Sequence, residues 1–207
     1  MLIKNFLSNL ASERAPGPRP SFTVLDVLRF LRILVSSGTI GRGKISKSLS
    51  LGEGATRTIL KRLVEANLVA KSRNGCSLTS KGRRLWESIE SVMPRIVEIG
   101  GNELTLAPFN VAVLVRGRVG KVGSGLEQRD AAVMAGAKGA VTIVFKNGRL
   151  TIPSVSVNLE RDYPAAFRDI MRLMKLEEDD VIIISSADTL RNAEYGALAA
   201  AWSIIDV

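Results

Sequence analysis

Three segments near the start of the chain carry apolar residues at the three- and four-residue spacing of amphipathic helices. In the first, the apolar positions run from Val24 to Leu34, which predicts a helix with one buried face. Residues 44–49 are long enough for a short second helix. A third helix is predicted over residues 53–66, where Ile59, Leu60 and Leu63 share the inward face.

A two-stranded hairpin is predicted after the third helix. Residues 68–72 and 76–78 are strand-like, and the dipeptide Asn74-Gly75 lies between them. Asn-Gly between two strand-like segments is the strongest short-range hairpin signal. Thr79 or Ser80 is expected to cap the helix that follows.

Three helices, a basic third helix, a hairpin and a closing helix form the order of a winged helix-turn-helix. On these residues the chain resembles bacterial and archaeal winged-helix transcription regulators over residues 21–92. The resemblance implies binding of double-stranded DNA, with the third helix as the recognition helix. The segments that carry it are Lys47-Ser48-Leu49, Ala55–Leu63, Glu65–Val69 and Leu78–Gly82.

The charge of the chain supports this interpretation for its first half. The chain has 29 Lys and Arg against 20 Asp and Glu, a net charge of +9. Residues 1–92 hold 16 basic and 6 acidic side chains, a balance of +10, whereas residues 93–207 hold 13 and 14, a balance of −1. Affinity for DNA depends largely on phosphate neutralisation, so this half is the one suited to a nucleic acid.

We predict two sets of DNA-contacting residues. The first set enters the major groove, where Arg57 or Arg62 could contact a guanine, and the second set contacts phosphates. The first comprises Arg57, Thr58, Lys61 and Arg62, and the second comprises Lys44, Lys47, Lys71 and Arg73.

The second half has a mixed pattern of strands and helices. Strand-like runs alternate with amphipathic segments in the order β-α-β-β-α-β-α, beginning at Asn110 and ending near Ile205. The fold class predicted for the chain is α+β, with the winged helix followed by a sandwich-like domain of ferredoxin-like or related type. The first β-α unit also permits a parallel pair of strands.

A glycine-rich loop after the first of these strands is the main candidate for binding chemistry. It carries four glycines within residues 116–125 and leads into a helix, and exposed N–H groups at a helix N-terminus suit an anion. The loop lacks the spacing of a nucleotide fingerprint, and a plain structural turn is the alternative. The predicted ligand-binding residues are Arg116, Arg118, Gly123, Ser124, Gly125, Gln128, Arg129 and Asp130.

The whole chain is also similar to an archaeal family of uncharacterised proteins. Residues 123–132 and 135–140 carry that resemblance. It implies a winged-helix domain fused to a C-terminal domain of unknown role. The predicted organisation is an N-terminal helix with a Pro-rich linker over 1–20, the winged helix over 21–93, a linker over 94–102, and a ligand-sensing or dimerisation domain over 103–207.

Several classes of function are disfavoured by composition. The chain has no histidine, which removes His-based catalysis and His-ligated metals. One cysteine, Cys76, excludes an internal disulfide and fits a reducing cytoplasm. We find no membrane span and no signal peptide, and the acidic run Glu177–Asp180 is expected to be a solvated loop rather than a metal site. No metal or cofactor is predicted.

Three functions remain on sequence grounds. The first is a cytoplasmic transcription regulator whose second domain senses a small anionic metabolite, forms a homodimer, or does both. The second is an enzyme acting on a phosphorylated or carboxylated small molecule, with the winged helix as a targeting module. The third uses the winged helix for contact with proteins. The missing histidines favour sensing over catalysis.

Overall fold

The computed structural model of the chain describes residues 3–12 and 21–205, which belong to two compact units, one up to Ile89 and the other from Glu90 to Ile205. The mixed helices and strands confirm the predicted α+β class. The Pro-rich part of the predicted linker over residues 1–20 lies outside the described residues.

The N-terminal unit is built mainly of helices. Its second helix begins with a capping box, in which the main-chain N–H of Thr23 donates to Asp26 at 2.7 Å and the N–H of Leu25 donates to Thr23 Oγ1 at 3.2 Å. The helix ends before Gly38, whose φ is 68°. The described helices of this unit are α1 (Ile3–Ala11), α2 (Val24–Ser37), α3 (Arg42–Leu49), α4 (Glu53–Glu65) and α5 (Ser80–Val92), the last of which continues into the second unit.

The predicted hairpin follows α4. Its antiparallel strands are β1 (Val69–Ser72) and β2 (Gly75–Leu78). Thr79 caps α5, because its Oγ1 accepts the N–H of Gly82 at 3.0 Å. Much of the core of the unit comes from the middle three helices, whose fully buried side chains include Phe30, Leu31, Ile45, Leu49, Ile59 and Leu63. Buried residues of α1 and α5, such as Leu7 and Ile89, complete it.

The second unit contains one mixed set of strands and helices around a single sheet. Within residues 90–205 the sheet has the strand order β3-β4-β7-β5-β6, and every neighbouring pair is antiparallel. The elements are β3 (Arg95–Ile99), β4 (Phe109–Val115), α6 (Leu126–Met134), β5 (Gly139–Lys146), β6 (Arg149–Thr151), α7 (Leu159–Asp162), α8 (Pro164–Leu173), β7 (Val181–Ala187) and α9 (Leu190–Ile204).

Helices cover both faces of this sheet. On one face Leu114 and Ile182 pack with Ile170 of α8. On the other, α9 lies against the sheet so closely that a Cβ on Gly196 would be 2.3 Å from Ser185 Oγ. Every residue of β7 is therefore buried, as expected of a strand covered on both sides. From β4 to α9 the unit has the predicted order of strands and helices, with the short α7 added. A ferredoxin-like sandwich carries its helices on one face, so the unit differs from that particular fold.

One further prediction about this unit is wrong, and one possibility that the sequence left open is not realised. Residues 94–102 were expected to be a linker, but they contain β3, which pairs along its length with β4. The parallel pair does not form, because β7 lies between β4 and β5 in the sheet. The pairing of β3 with β4 joins two consecutive strands, whereas β7, which separates β4 from β5, comes from much later in the chain.

Glu103 fixes the start of α8. Its two carboxylate oxygens accept the main-chain N–H groups of Ala165 and Ala166, each at 2.9 Å. The hydrogen bond from Ala165 is the largest cause that lowers the pKa of Glu103 below its ordinary value. The carboxylate therefore satisfies two N–H groups that have no partner within the helix.

Candidate nucleic-acid interface

Helix α4 presents a polar face to solvent. Arg57, Thr58 and Lys61 are exposed on it, as the sequence predicted, while Ile59 and Leu63 are buried. Thr58 Oγ1 donates to the carbonyl of Gly54 at 3.0 Å, and Lys61 Nζ lies 3.9 Å from Glu65. Because Lys61 and Glu65 are both largely exposed, this ion pair is weak and leaves the lysine available to an anion.

A groove of about 340 Å³ opens between α4, the start of α3 and the hairpin. Four basic side chains line it, and none of them forms an ion pair with a carboxylate among residues 3–12 and 21–205. Their like charges share one concave surface, which concentrates positive potential there. The four are Arg42, Arg57, Lys71 and Arg73, and we call the groove that they line the basic groove.

The hairpin is fixed to the helices beside this groove. Ile40, just before α3, exchanges two main-chain hydrogen bonds with Cys76 of β2, at 3.1 and 2.9 Å. Gly75 has a φ of 132°, and a Cβ there would lie 2.5 Å from the carbonyl oxygen of Ile40. Only glycine permits this approach, so Lys71 and Arg73 are held at a defined place relative to α3.

Cys76 lies beneath the groove as a packed side chain. It is 4% exposed. Burial raises the pKa of its thiol, although the charges of Lys71 and Arg42 act in the opposite direction. The thiol is therefore protonated at neutral pH, in agreement with the structural role of a small apolar residue.

Two other predicted phosphate contacts lie on α3. Lys44 is exposed and lines a second depression, which shares Gly41 and Asn74 with the basic groove. Lys47 is also exposed, but it lines neither depression. Arg42 was not predicted, although its position after Gly41 at the start of a helix beside the hairpin would have justified it.

Arg62 corrects the predicted major-groove set. It is only 8% exposed, and its Nη1 donates to the carbonyls of Leu10 at 2.8 Å and Ser12 at 2.7 Å. Its guanidinium also lies 5.2 Å from the ring centroid of Phe22. Arg62 therefore holds the end of α1 and is not presented to a ligand.

The glycine-rich loop does not assemble the predicted anion site. Arg116 turns away to form ion pairs with Asp180 and Glu177, and Arg118 Nη1 donates to the carbonyl of Gly117 at 3.1 Å. Gln128 is 1% exposed and donates to Ser203 Oγ at 3.2 Å. Gln128 of α6 therefore contacts α9, which is a structural role.

The remaining residues predicted to bind the ligand do not form a common site either. Arg129 is paired at 2.9 Å with its neighbour Asp130, both largely exposed. Gly123 and Ser124 are exposed. Gly125 begins α6 with a φ of 85°, and a Cβ there would lie 3.2 Å from Thr142. The loop is therefore best described as a structural turn, which was the alternative on sequence grounds.

Asp180 also departs from the sequence expectation of a solvated loop at 177–180. It is fully buried, and its Oδ2 accepts the N–H of Glu177 at 2.7 Å besides pairing with Arg116. Among the described residues, no group of three or more His, Cys, Asp or Glu side chains is arranged to hold a metal ion. None of the described helices has the length and apolar character needed to cross a bilayer.

In comparisons with known proteins, each unit matches a domain family without an assigned function. Residues 23–84 match the PH0730-like N-terminal domain, and residues 106–204 match a domain of unknown function, DUF4443. The structure is similar to the hypothetical protein PH0730 from Pyrococcus horikoshii OT3, at 27% identity and a TM-score of 0.72, over 89% of this chain and 93% of that one. The predicted likeness to an uncharacterised archaeal protein is confirmed to that extent.

A second solved structure aligns along almost the same length. It is an IclR family transcriptional regulator from Brucella abortus, at 11% identity, covering 96% of this chain and 97% of that one. Its TM-score of 0.32 does not establish a shared fold. Comparison with curated proteins gives no match.

Proposed function

We propose that the chain is a cytoplasmic transcription regulator whose residues 21–93 form a winged helix-turn-helix that binds double-stranded DNA. The observation that carries the proposal is the basic groove, whose four cations come from three different elements, share one concave surface and have no ion-pair partner among residues 3–12 and 21–205. Cations without internal partners pay no cost of breaking an ion pair when they meet phosphates, and they release counterions on binding.

In this proposal α4 is the recognition helix and lies in the major groove. Arg57, Thr58 and Lys61 face the bases, and Arg57 is the side chain that can donate to guanine N7 and O6. Arg62 has no part in this contact, since it is buried. The exposed lysines of α3 and the two cations of the hairpin contact phosphates and set the orientation of the unit.

The second unit is proposed to sense a small anionic ligand, to form a homodimer, or to do both. A homodimer would place two recognition helices on half-sites about one helical turn of DNA apart. The near-neutral charge of residues 93–207 supports a role other than DNA contact for this unit.

A charge-matched pair of variants tests the DNA-binding proposal. Arg57→Ala/Arg73→Ala removes two cations from the basic groove, whereas Arg83→Ala/Arg84→Ala removes two exposed cations from α5. Both variants have the same net charge, so any difference between them depends on location. The measurement is the affinity for a mixed-sequence DNA duplex over a salt series, by fluorescence anisotropy.

The groove variant is expected to bind about 10- to 100-fold more weakly at low salt, and its slope of log K against log salt to fall by about 2, since roughly one counterion is released for each phosphate contact. The α5 variant should remain close to wild type. The proposal fails if wild type shows no binding at low salt, or if the two variants lose affinity equally.

A further inference from the structure

The second unit contains a cavity of about 420 Å³ where β3 begins, β4 ends and α8 ends. Its volume lies in the range of small-molecule sites. Cationic and apolar side chains line it, and no carboxylate among the described residues is part of its wall. The residues that give it this character are Arg95, Leu114, Arg116, Met171, Arg172, Met174 and Lys175; we call this the basic–apolar cavity.

Arg116 is held at the wall of this cavity by groups behind it. Its guanidinium pairs with the fully buried Asp180 and, at 3.2 Å, with Glu177, while its own side chain remains 22% exposed. The N–H of Glu177 also donates to Asp180, so the carboxylate is fixed before any ligand arrives. A guanidinium oriented in this way loses little entropy when it binds an anion.

The other cations of the cavity differ in how far they are already engaged. Arg95 Nε donates to the carbonyl of Leu173 at 3.3 Å, at the end of α8, where helix carbonyls carry partial negative charge. Arg172 is paired with Asp169 at 2.9 Å. Lys175 is exposed and has no ion pair within residues 3–12 and 21–205. Counted with their carboxylate partners Asp169, Glu177 and Asp180, the four cations of the cavity leave an excess of one positive charge at the wall.

The apolar part of the cavity favours a ligand that also has a hydrocarbon part. Leu114 and Met174 are buried, and Met171 is half exposed. Methionine side chains adapt to ligands of different shape. An inorganic anion would leave this surface in contact with water, whereas a ligand with a hydrocarbon part would cover it.

We propose that the basic–apolar cavity binds a small organic carboxylate. Its carboxylate lies against Arg116 and Lys175, and its hydrocarbon part lies on Met171 and Met174. The inference rests on the proposed sensing role of the second unit, and it moves the ligand site from the glycine-rich loop to the end of the sheet. Arg116 keeps its predicted role in ligand contact, but at this cavity and not at the glycine-rich loop.

Octanoate is the probe for this proposal, measured by isothermal titration calorimetry with the full chain and no DNA. Acetate supplies the charge without the hydrocarbon, and octanol the hydrocarbon without the charge. Octanoate is expected to bind saturably and at least about tenfold more tightly than either, since the site needs both interactions.

Two variants locate the binding. Met171→Glu places a carboxylate at the wall, at a half-exposed position where the core is not disturbed, and is expected to abolish octanoate binding. Lys175→Gln should weaken binding about tenfold by removing one charge-assisted contact. The matched control is Lys146→Gln, which removes another exposed lysine outside the cavity and should leave binding unchanged.

The proposal is overturned if octanoate gives no saturable binding up to about 10 mM, a very weak affinity by any measure. Equal binding of octanol, or binding unchanged by Met171→Glu, would overturn it as well. DNA affinity is measured separately. A chain that binds duplex DNA but not octanoate refutes this inference alone, and a chain that binds octanoate but not DNA refutes the DNA-binding proposal alone.

Discussion

Arg62 lies on the same helix as Arg57 and Lys61, yet its guanidinium is buried against the carbonyls of Leu10 and Ser12. Helical spacing places it at the edge of the apolar face, where an arginine is normally solvated. Its acceptors are about 50 residues earlier in the chain. The sequence of α4 carries no sign of them, so the prediction of a DNA contact was natural and wrong.

Arg62→Ala is expected to lower the free energy of unfolding by about 2–4 kcal/mol, because two charge-assisted hydrogen bonds and the stacking on Phe22 are lost. The neighbouring Lys61→Ala should change it by less than about 0.5 kcal/mol, as its ion pair is exposed. Urea unfolding of the two variants gives the comparison. Equal stability of both would show that Arg62 is not structural.

Asp180 makes the same point for the second unit. Four successive acidic residues predict a solvated loop, and three of the four, Glu177, Glu178 and Asp179, are exposed. Asp180 is buried because Arg116, 64 residues earlier, supplies the opposite charge. Such a pair can be recognised only after the strands have brought the two residues together.

At the scale of elements, the sequence predicts the local signals well. The chain has two Asn-Gly dipeptides, and both are in hairpins, but at different positions relative to the turn. Asn147 and Gly148 form the turn itself, with φ of 52° and 68°, as a two-residue turn requires. In the first hairpin Ser72 pairs with Gly75, so that Arg73 and Asn74 form the turn, and Gly75 serves the contact with Ile40.

Strand β3 was missed because its signals compete. Residues 95–99 have an apolar, β-branched character, but they are short and lie between Pro94 and the pair Gly100-Gly101. Proline and paired glycines are typical of linkers. The strand is stabilised by its pairing with β4, which local sequence does not reveal.

One glycine-to-alanine change in each of two helices tests element packing. A Cβ on Gly82 of α5 would lie 2.1 Å from the carbonyl oxygen of Leu68, whereas none of the described atoms lies within 4 Å of a Cβ on Gly54 of α4. Gly82→Ala should therefore cost about 3 kcal/mol or more, and Gly54→Ala should be neutral or stabilise by up to about 1 kcal/mol.

Thermal unfolding of both variants, followed by circular dichroism, shows whether each change lowers or raises the unfolding midpoint. A stable Gly82→Ala protein would mean that α5 can move away from the start of the hairpin. That result would contradict the close approach described above.

At the scale of the whole molecule, the charge asymmetry is the property that sequence predicts with least ambiguity. The excess of +10 lies in residues 1–92, and the basic groove is found there. The cavity in the second unit had no sequence signal, because its lining residues come from three separate stretches whose contacts depend on strand order.

Because like charges repel within the first unit, salt should stabilise it selectively. Each unit contains one of the two tryptophans, Trp86 in the first and Trp202 in the second. The fluorescence of Trp86 in the Trp202→Phe variant therefore follows unfolding of the first unit, and that of Trp202 in the Trp86→Phe variant follows the second. Raising the salt concentration from low to moderate is expected to increase the unfolding midpoint seen by Trp86 by about 5 °C. The midpoint seen by Trp202 should change far less, and equal shifts would contradict the prediction.

The contact of Arg62 with the end of α1 also decides how the first unit can be shortened. The family match begins at residue 23, and a fragment cut there would seem complete. It would lack both of these carbonyl acceptors, and the loss of two charge-assisted hydrogen bonds of Arg62 is destabilising. We therefore expect a stable fragment of this unit to need α1 and Ser12, which a fragment cut at residue 23 would leave out.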